Sequence, residues 1–278
     1  MEASGRRHIG TLIEWVIIGI LGLGCFSLMV AGAVLGAREV EKSLSFCEQY
    51  DECSEEKMPP EIIEIEPLRE NSGVIYLTFD DGPSEYTGQL LDTLARYGVK
   101  ATFFVTGRGK DELILREYRE GHTVGLHTDS HNYAYIYANA DNYFEDLLAV
   151  SQRVEGILGQ SVKLIRFPGG SSNTVSRRYD RGTHIMSYLA QATQERGYRY
   201  FDWNVDSDDA GGARSADEVY ENVVNRLRDD TESIVLQHDV KKYSVDAVEN
   251  IIRYGLENGF EFKKLELNSF SAHHDVNN

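Results

Sequence analysis

"GVIYLTFDDGPSEYTGQLLDTLARYGVKATFFV", residues 73–105, carries the reading that decides the fold. It opens on an apolar, β-branched run at 74–79 (VIYLTF), which predicts a strand. Asp80 and Asp81 follow, and Gly82 and Pro83 then force a turn. Leu90, Leu91, Leu94 and Tyr97 recur at three- and four-residue spacing, which predicts a helix, and Gly98 stops it. A second apolar run, 101–105 (ATFFV), completes a strand–helix–strand unit whose strands run parallel.

The same texture continues outward. Strand-like runs appear at 123–126, 162–167, 199–205, 233–237 and 260–266. Helical patterns lie between them. Residues 141–159 have Asp141 as the expected N-cap and Gly159 as the stop, and residues 215–230 open with the capping-box pair Ser215 and Glu218. Residues 243–259 end on another glycine. Seven strands alternating with helices imply an α/β fold on a parallel sheet. The roughly 195 residues involved are short for an eight-unit barrel of about 250. A reduced or distorted barrel fits, with an open doubly wound sheet as the alternative.

Upstream the composition changes. Trp15 to Ala37 contains no charged residue, and its 23 positions are enough to span a bilayer. Arg6 and Arg7 precede the run, so the positive-inside rule puts residues 1–10 in the cytoplasm, a signal anchor at 11–37, and the rest of the chain outside the cell membrane. A cleaved signal peptide ending at "AGA" (31–33) or "LGA" (35–37) is the competing reading, disfavoured because the apolar run exceeds the usual h-region of about 7–15 residues. Residues 38–72 hold eleven acids, four bases and three prolines, the composition of a linker. Cys47 and Cys53 lie in it, where a small disulfide loop and two free thiols are equally compatible with the sequence. The net charge of −17 and the absence of a basic stripe exclude a nucleic-acid partner from the expectation.

In such a sheet chemistry gathers where strands meet the following loops. Asp80 and Asp81 follow the first strand, His127 and His131 the third, Arg166 the fourth, Asp206, Asp208 and Asp209 the fifth, and His238 and Asp239 the sixth. His127 and His131 are four residues apart, which on a helical turn puts both imidazoles on one side. A carboxylate from another strand would complete a two-histidine, one-carboxylate metal set. His122 lies an odd number of residues from His127, at the other end of the same strand, and reads as structural. His273 and His274, near the chain end, are given no task.

"TFDDGP" (78–83), "HTDSH" (127–131), "RFPGG" (166–170), "DWNVDSDD" (202–209) and "LQH" (236–238) resemble, in order and rough spacing, the five motifs of the polysaccharide deacetylases, carbohydrate esterase family 4. "RFPGGSSNTVS" and "YRYFDWNV" look most like exported Gram-positive deacetylases that act on cell-wall sugars. The resemblance implies a distorted (β/α)7 barrel over residues 73–268, with 269–278 as a tail. It implies that Asp81, His127 and His131 hold a divalent metal, zinc or alternatively cobalt. Asp80 would be the general base, with Arg166 orienting it and keeping its pKa low. His238 would be the general acid, oriented by Asp209, which raises its pKa. The Gly169 N–H would serve the oxyanion and Leu236 the acetyl methyl. Strand alternation sends Asp80 and Asp81 in different directions, which suits such a division of labour.

Two positions depart from the family pattern. Gly169 stands where tyrosine is frequent, leaving a wall of the sugar groove missing, and Ala210 stands where many relatives have tryptophan; Trp203 is near but need not replace it. The implied substrate is an N-acetylated glycan, most naturally N-acetylglucosamine of peptidoglycan. N-acetylmuramic acid, chitin oligomers, xylan and a catalytically silent wall-binding role are the alternatives. A glycoside hydrolase fits poorly, because it needs two acids facing each other across about 5–10 Å.

Overall fold

Parallel pairing along one central strand organises the domain. The computed structural model describes residues 61–69 and 72–276; the span at 15–37, the cysteines and most of the linker lie outside the described residues. No helix among the described residues is long and apolar enough to cross a membrane.

Strand β1 (Gly73–Asp80) leads through α1 (Thr87–Arg96) to β2 (Thr102–Val105), so the βαβ unit read from residues 73–105 is present. Then come α2 (Asp111–Arg119), β3 (Thr123–Leu126), α3 (Tyr133–Ile136), α4 (Ala140–Leu158) and β4 (Leu164–Ile165). The second half runs α5 (Ile185–Glu195), β5 (Arg199–Tyr200), β6 (Val205–Asp206), α6 (Ala216–Val224), β7 (Thr231–His238), α7 (Lys242–Glu257) and β8 (Glu261–Phe262). Every strand pairing is parallel.

The sheet path is β5-β4-β3-β2-β1-β7-β6. Its two ends, β5 and β6, are consecutive in the chain. The expected single strand at 199–205 is a bent segment that changes partners. Phe201 N donates to the Ile165 carbonyl on one side, and Asn204 N donates to that of Ile234 on the other. This curved parallel sheet fits a distorted (β/α)7 barrel. The run at 260–266 shrinks to two strand residues, because β8 pairs only with Val74 and Ile75. From Thr78 onward β2 takes over that edge of β1.

On β1, Tyr76, Thr78 and Asp80 share the inner face, as the two-residue period requires. Tyr76 packs inside with Phe104, Leu164, Phe201, Ile234 and Leu265, below the polar groups of the strand ends. On the outer face α1 buries Leu90, Leu91 and Leu94. Helices α2, α3 and α5 escape the periodicity reading. In α2, "DELILREYR", the buried face is only Ile114, Leu115 and Glu117, a short stripe interrupted by an acid.

Residues 61–69 are not free of the domain. Ile63 N donates to the Arg96 carbonyl and Leu68 N to the Glu257 carbonyl. These are the last residues of α1 and α7, whose carbonyls have no partner within the helix. The tail is also held: His273 stacks on Tyr200 with ring centroids 4.1 Å apart, and His274 N donates to Asp202 Oδ2 at 2.9 Å. Both histidines therefore have a structural task that their terminal position concealed.

Helix α4 begins two residues earlier than expected. Asn139, not Asp141, is its N-cap, and the Asn139 side chain accepts from Asn142 N. Gly159 ends it in the left-handed conformation, as read. The Ser215 cap of α6 forms, but Glu218 reaches back to Arg214 N instead of Ser215 N. Replacing Asn139 with Ala should therefore lower stability by about 1 kcal/mol, whereas Asp141→Ala should cost only a few tenths; urea midpoints of the two variants give the comparison.

Candidate active site

The β1–β7 register pairs Asp80 with His238. Both close the C-terminal ends of neighbouring strands, which lie about 4.8 Å apart. Around them a cavity of about 430 Å³ is lined by Asp81, His127, His131, Tyr133, Gly169, Trp203, Leu236 and others. Another cavity, about 450 Å³, opens at the opposite end of the sheet beside Ile65, Tyr97 and Phe260; no histidine or paired acid lines it.

Asp80 is 2% exposed. Its Oδ1 accepts from Arg166 Nη1 at 2.8 Å. Arg166 is itself buried, and its other donors reach Thr78 Oγ1 and the carbonyls of Phe201 and Asp202. Its guanidinium lies 4.3 Å from the Phe104 ring centroid. Arg166 thus orients Asp80 as expected, but it does not keep the pKa low. Burial raises the Asp80 carboxyl above its ordinary value, and the Arg166 charge offsets this only in part.

Asp81 follows with φ of 74°, in the left-handed region. That turn, not strand alternation, sets its direction, and the two carboxylates converge instead of diverging. Asp80 Oδ2 lies 3.8 Å, and Asp81 Oδ1 3.6 Å, from His127 Nε2. What separates the two acids is their partners. Asp80 holds Arg166, while Asp81 Oδ1 is buried with no hydrogen-bond partner.

His131 Nε2 is 3.3 Å from that same oxygen. The ligand atoms of Asp81, His127 and His131 all lie within 4.8 Å of one another. His127 Nδ1 donates to the Arg166 carbonyl at 2.9 Å, which fixes the tautomer and leaves the Nε2 lone pair facing the cluster. Burial pushes the His127 pKa down to about 3, against the pull of Asp81, so the ring is neutral. An orphaned acceptor and a neutral imidazole in one cluster are what a divalent cation would satisfy. The pair is not on a helical turn: Thr128 and His131 have φ of 63° and 50°, and the segment is a loop.

His238 Nδ1 donates to Asp209 Oδ1 at 2.7 Å, and His238 N donates to Asp209 Oδ2 at the same distance. Burial works against a charged ring, but the Asp209 bond and charge prevail and raise the His238 pKa to about 9. Asp209 feels the converse: burial disfavours its charge, yet the bonds from His238 hold its pKa below the usual value. Asp239 does not join the site. Its carboxylate accepts from Thr87 Oγ1 behind Gly82, and burial raises its pKa to about 7. His122 is structural as read: Nδ1 accepts from Ala101 N, and burial holds its pKa at about 3.

The polysaccharide deacetylase profile matches residues 68–186. A peptidoglycan-N-acetylglucosamine deacetylase of Bacillus cereus is 32% identical over 263 residues, 89% of each chain. The chain belongs to the polysaccharide deacetylase family. Among solved structures, the catalytic domain of a peptidoglycan N-acetylglucosamine deacetylase from Eubacterium rectale is 44% identical, with a TM-score of 0.72 over 77% of this chain and 98% of that one. A polysaccharide deacetylase from Bacillus cereus is 33% identical, with a TM-score of 0.62 over 73% of this chain and 98% of that one.

In this deacetylase the two departures from the family pattern have local answers. Gly169 has φ of 77°, and a Cβ there would stand 3.3 Å from the Tyr133 hydroxyl. Tyr133, two residues after His131, therefore supplies the wall that Gly169 lacks. Gly169 itself lines the cavity. Trp203 lines the cavity along with Leu236 and Ala210, and its Nε1 donates to Asp206 Oδ2 at 3.3 Å. Its ring fits because Gly170 has no side chain; a Cβ there would stand 2.9 Å from it. Neither aromatic is legible as a wall from spacing alone, since Trp203 comes from a loop and Tyr133 opens the single-turn helix α3.

NMR titration of the ring protons should find His238 protonated until the pH rises through about 9. Asp209→Asn removes the charge that stabilises the cation, so the midpoint should fall by about one to two pH units.

Proposed function

We propose that this chain is a membrane-anchored, divalent-metal-dependent deacetylase that removes acetyl groups from N-acetylated sugars of peptidoglycan, N-acetylglucosamine first among them. The observation that carries the reaction is the pairing of Asp80 with His238 beside the Asp81, His127 and His131 cluster. The named relatives support the substrate. The charge-free span at 15–37 behind Arg6 and Arg7 supports an anchored, extracellular placement.

Asp81, His127 and His131 would hold the ion, zinc by the nitrogen and oxygen character of the set, with cobalt as a substitute. When bound, such an ion polarises the amide carbonyl and acidifies a water. Asp80 would take the proton of the attacking water as its oxygen adds to the carbonyl carbon. Gly169 N–H donates to the oxygen that gains charge. His238, protonated on Nε2, delivers its proton to the departing nitrogen as the C–N bond breaks, leaving acetate and a free amine. The two proton-transfer groups need opposite charge states at one pH. Burial with a buried cation serves Asp80, and an ionised Asp209 serves His238. Leu236 and Trp203 wall the space in which the acetyl methyl would sit, and Tyr133 flanks the sugar.

Two substitutions test the division between the neighbouring aspartates. Asp81→Asn should lose bound metal, measured by elemental analysis after dialysis. Asp80→Asn should keep the metal and lose about 10²–10⁴-fold in acetate release. Peptidoglycan, chitin oligomers and acetylated xylan serve as parallel substrates. No acetate from any of them with zinc or cobalt present would overturn the reading and leave a wall-binding role.

A further inference from the structure

The two histidines of the cluster sit on a loop that has no regular hydrogen bonding of its own. Two residues of that loop, Thr128 and His131, adopt left-handed backbone conformations without being glycine. Such a loop keeps its shape only if its surroundings hold it. Between the histidines, the N–H groups of Asp129 and Ser130 converge on one atom, Asp146 Oδ1, at 2.7 and 3.0 Å. Asp146 is 6% exposed and belongs to the buried face of α4, in line with Tyr143, Val150 and Val154. An acid in an apolar stripe is costly unless its oxygens are bonded, and here the bonds are made to the loop. The loop's opposite side is tied as well: Gly107 N donates to the Asp129 carbonyl at 2.9 Å, and Arg108 Nη2 donates to that of Ser130 at 3.1 Å.

We propose that Asp146 is a positioning residue for the metal-ligating pair: from α4, a helix of 19 residues capped at both ends, it sets the separation and direction of His127 and His131 by gripping two of the peptide groups between them. The inference rests on the metal reading above, and it concerns a residue that touches neither metal nor substrate. A charged acceptor shared by two successive N–H groups is a strong grip on backbone. Without it the loop could relax out of its two left-handed turns, and the imidazoles would leave the positions in which their Nε2 atoms face Asp81.

The test measures metal binding rather than activity. Full-length wild type, Asp146→Asn and Asp146→Ala are stripped of metal, checked for folding by circular dichroism, and titrated with cobalt alone and with zinc in competition. Wild type should bind one ion with a visible cobalt spectrum of low coordination number. Asp146→Ala should bind about 10–100-fold more weakly with an altered spectrum. Asp146→Asn keeps an acceptor oxygen but loses its charge, so it should fall between the two. A purely structural role would lower the melting temperature of the apo variants and leave affinity and spectrum unmoved; that result overturns the proposal. If Asp146→Ala does not fold, Asp146→Asn decides: intermediate affinity supports the role, and wild-type affinity with a wild-type spectrum rejects it. Failure of the wild type itself to bind either ion would overturn the metal reading, and the positioning role with it, and would be seen in the wild-type arm alone.

Discussion

A guanidinium buried in the middle of a sheet has to be paired and fully hydrogen-bonded, and that requirement at Arg166 shapes the rest of the site. Arg166 is 1% exposed. Its side chain joins Thr78 and Asp80 on β1 to the carbonyls of Phe201 and Asp202 on the bent segment that closes the sheet. Its own carbonyl takes the Nδ1 proton of His127. One residue therefore fixes the carboxylate of Asp80, the tautomer of His127 and the path of residues 201–202. Removing one member of a buried charge pair generally costs about 3–5 kcal/mol, because the other is left uncompensated. The geometry around Arg166 is accordingly held as a unit.

Partners, more than positions, assign the acids their properties. Asp80, Asp81 and Asp209 are all aspartates at the mouth of one cavity or just beneath it. Asp80 is raised by burial despite its cation. Asp209 is lowered because it accepts from both the ring and the main chain of His238. Asp81 keeps an oxygen with no partner beside two imidazoles. Proximity alone would have coupled them. Separate bonding partners, in a medium of low dielectric, pull them apart.

A second buried carboxylate links the strand ends to the chain terminus. Asp202 accepts from Ser171 N and Oγ through its two oxygens and from His274 N. The loop that carries Gly169 is thereby tied to the bent segment beneath Trp203 and to the tail. His274 adds a bond from its Nε2 to the Trp203 carbonyl at 2.7 Å. The tail thus braces the segment that carries Trp203, a wall of the site.

The βαβ unit at 73–105, the parallel sense of the sheet and the placing of Asp80, Asp81, His127, His131, Arg166, Asp209 and His238 at strand ends were legible in the sequence itself, whereas Gly169 and Leu236 were singled out only by the family resemblance. The former follow from local causes: apolar period, breaker residues, and polar residues placed at strand ends. The split of 199–205, the rise of the Asp80 pKa, the convergence of both aspartates on His127, the Asn139 cap, and the parts taken by Tyr133, Asp146 and His274 were not. Apart from the Asn139 cap, a local choice between two nearby candidates, each depends on what a residue meets across the fold. Spacing along a chain reports which face of an element a side chain shares with its neighbours. Dielectric, register and hydrogen-bond partners are set only when distant segments pack, and those alone decided how each carboxylate and imidazole of this deacetylase is held.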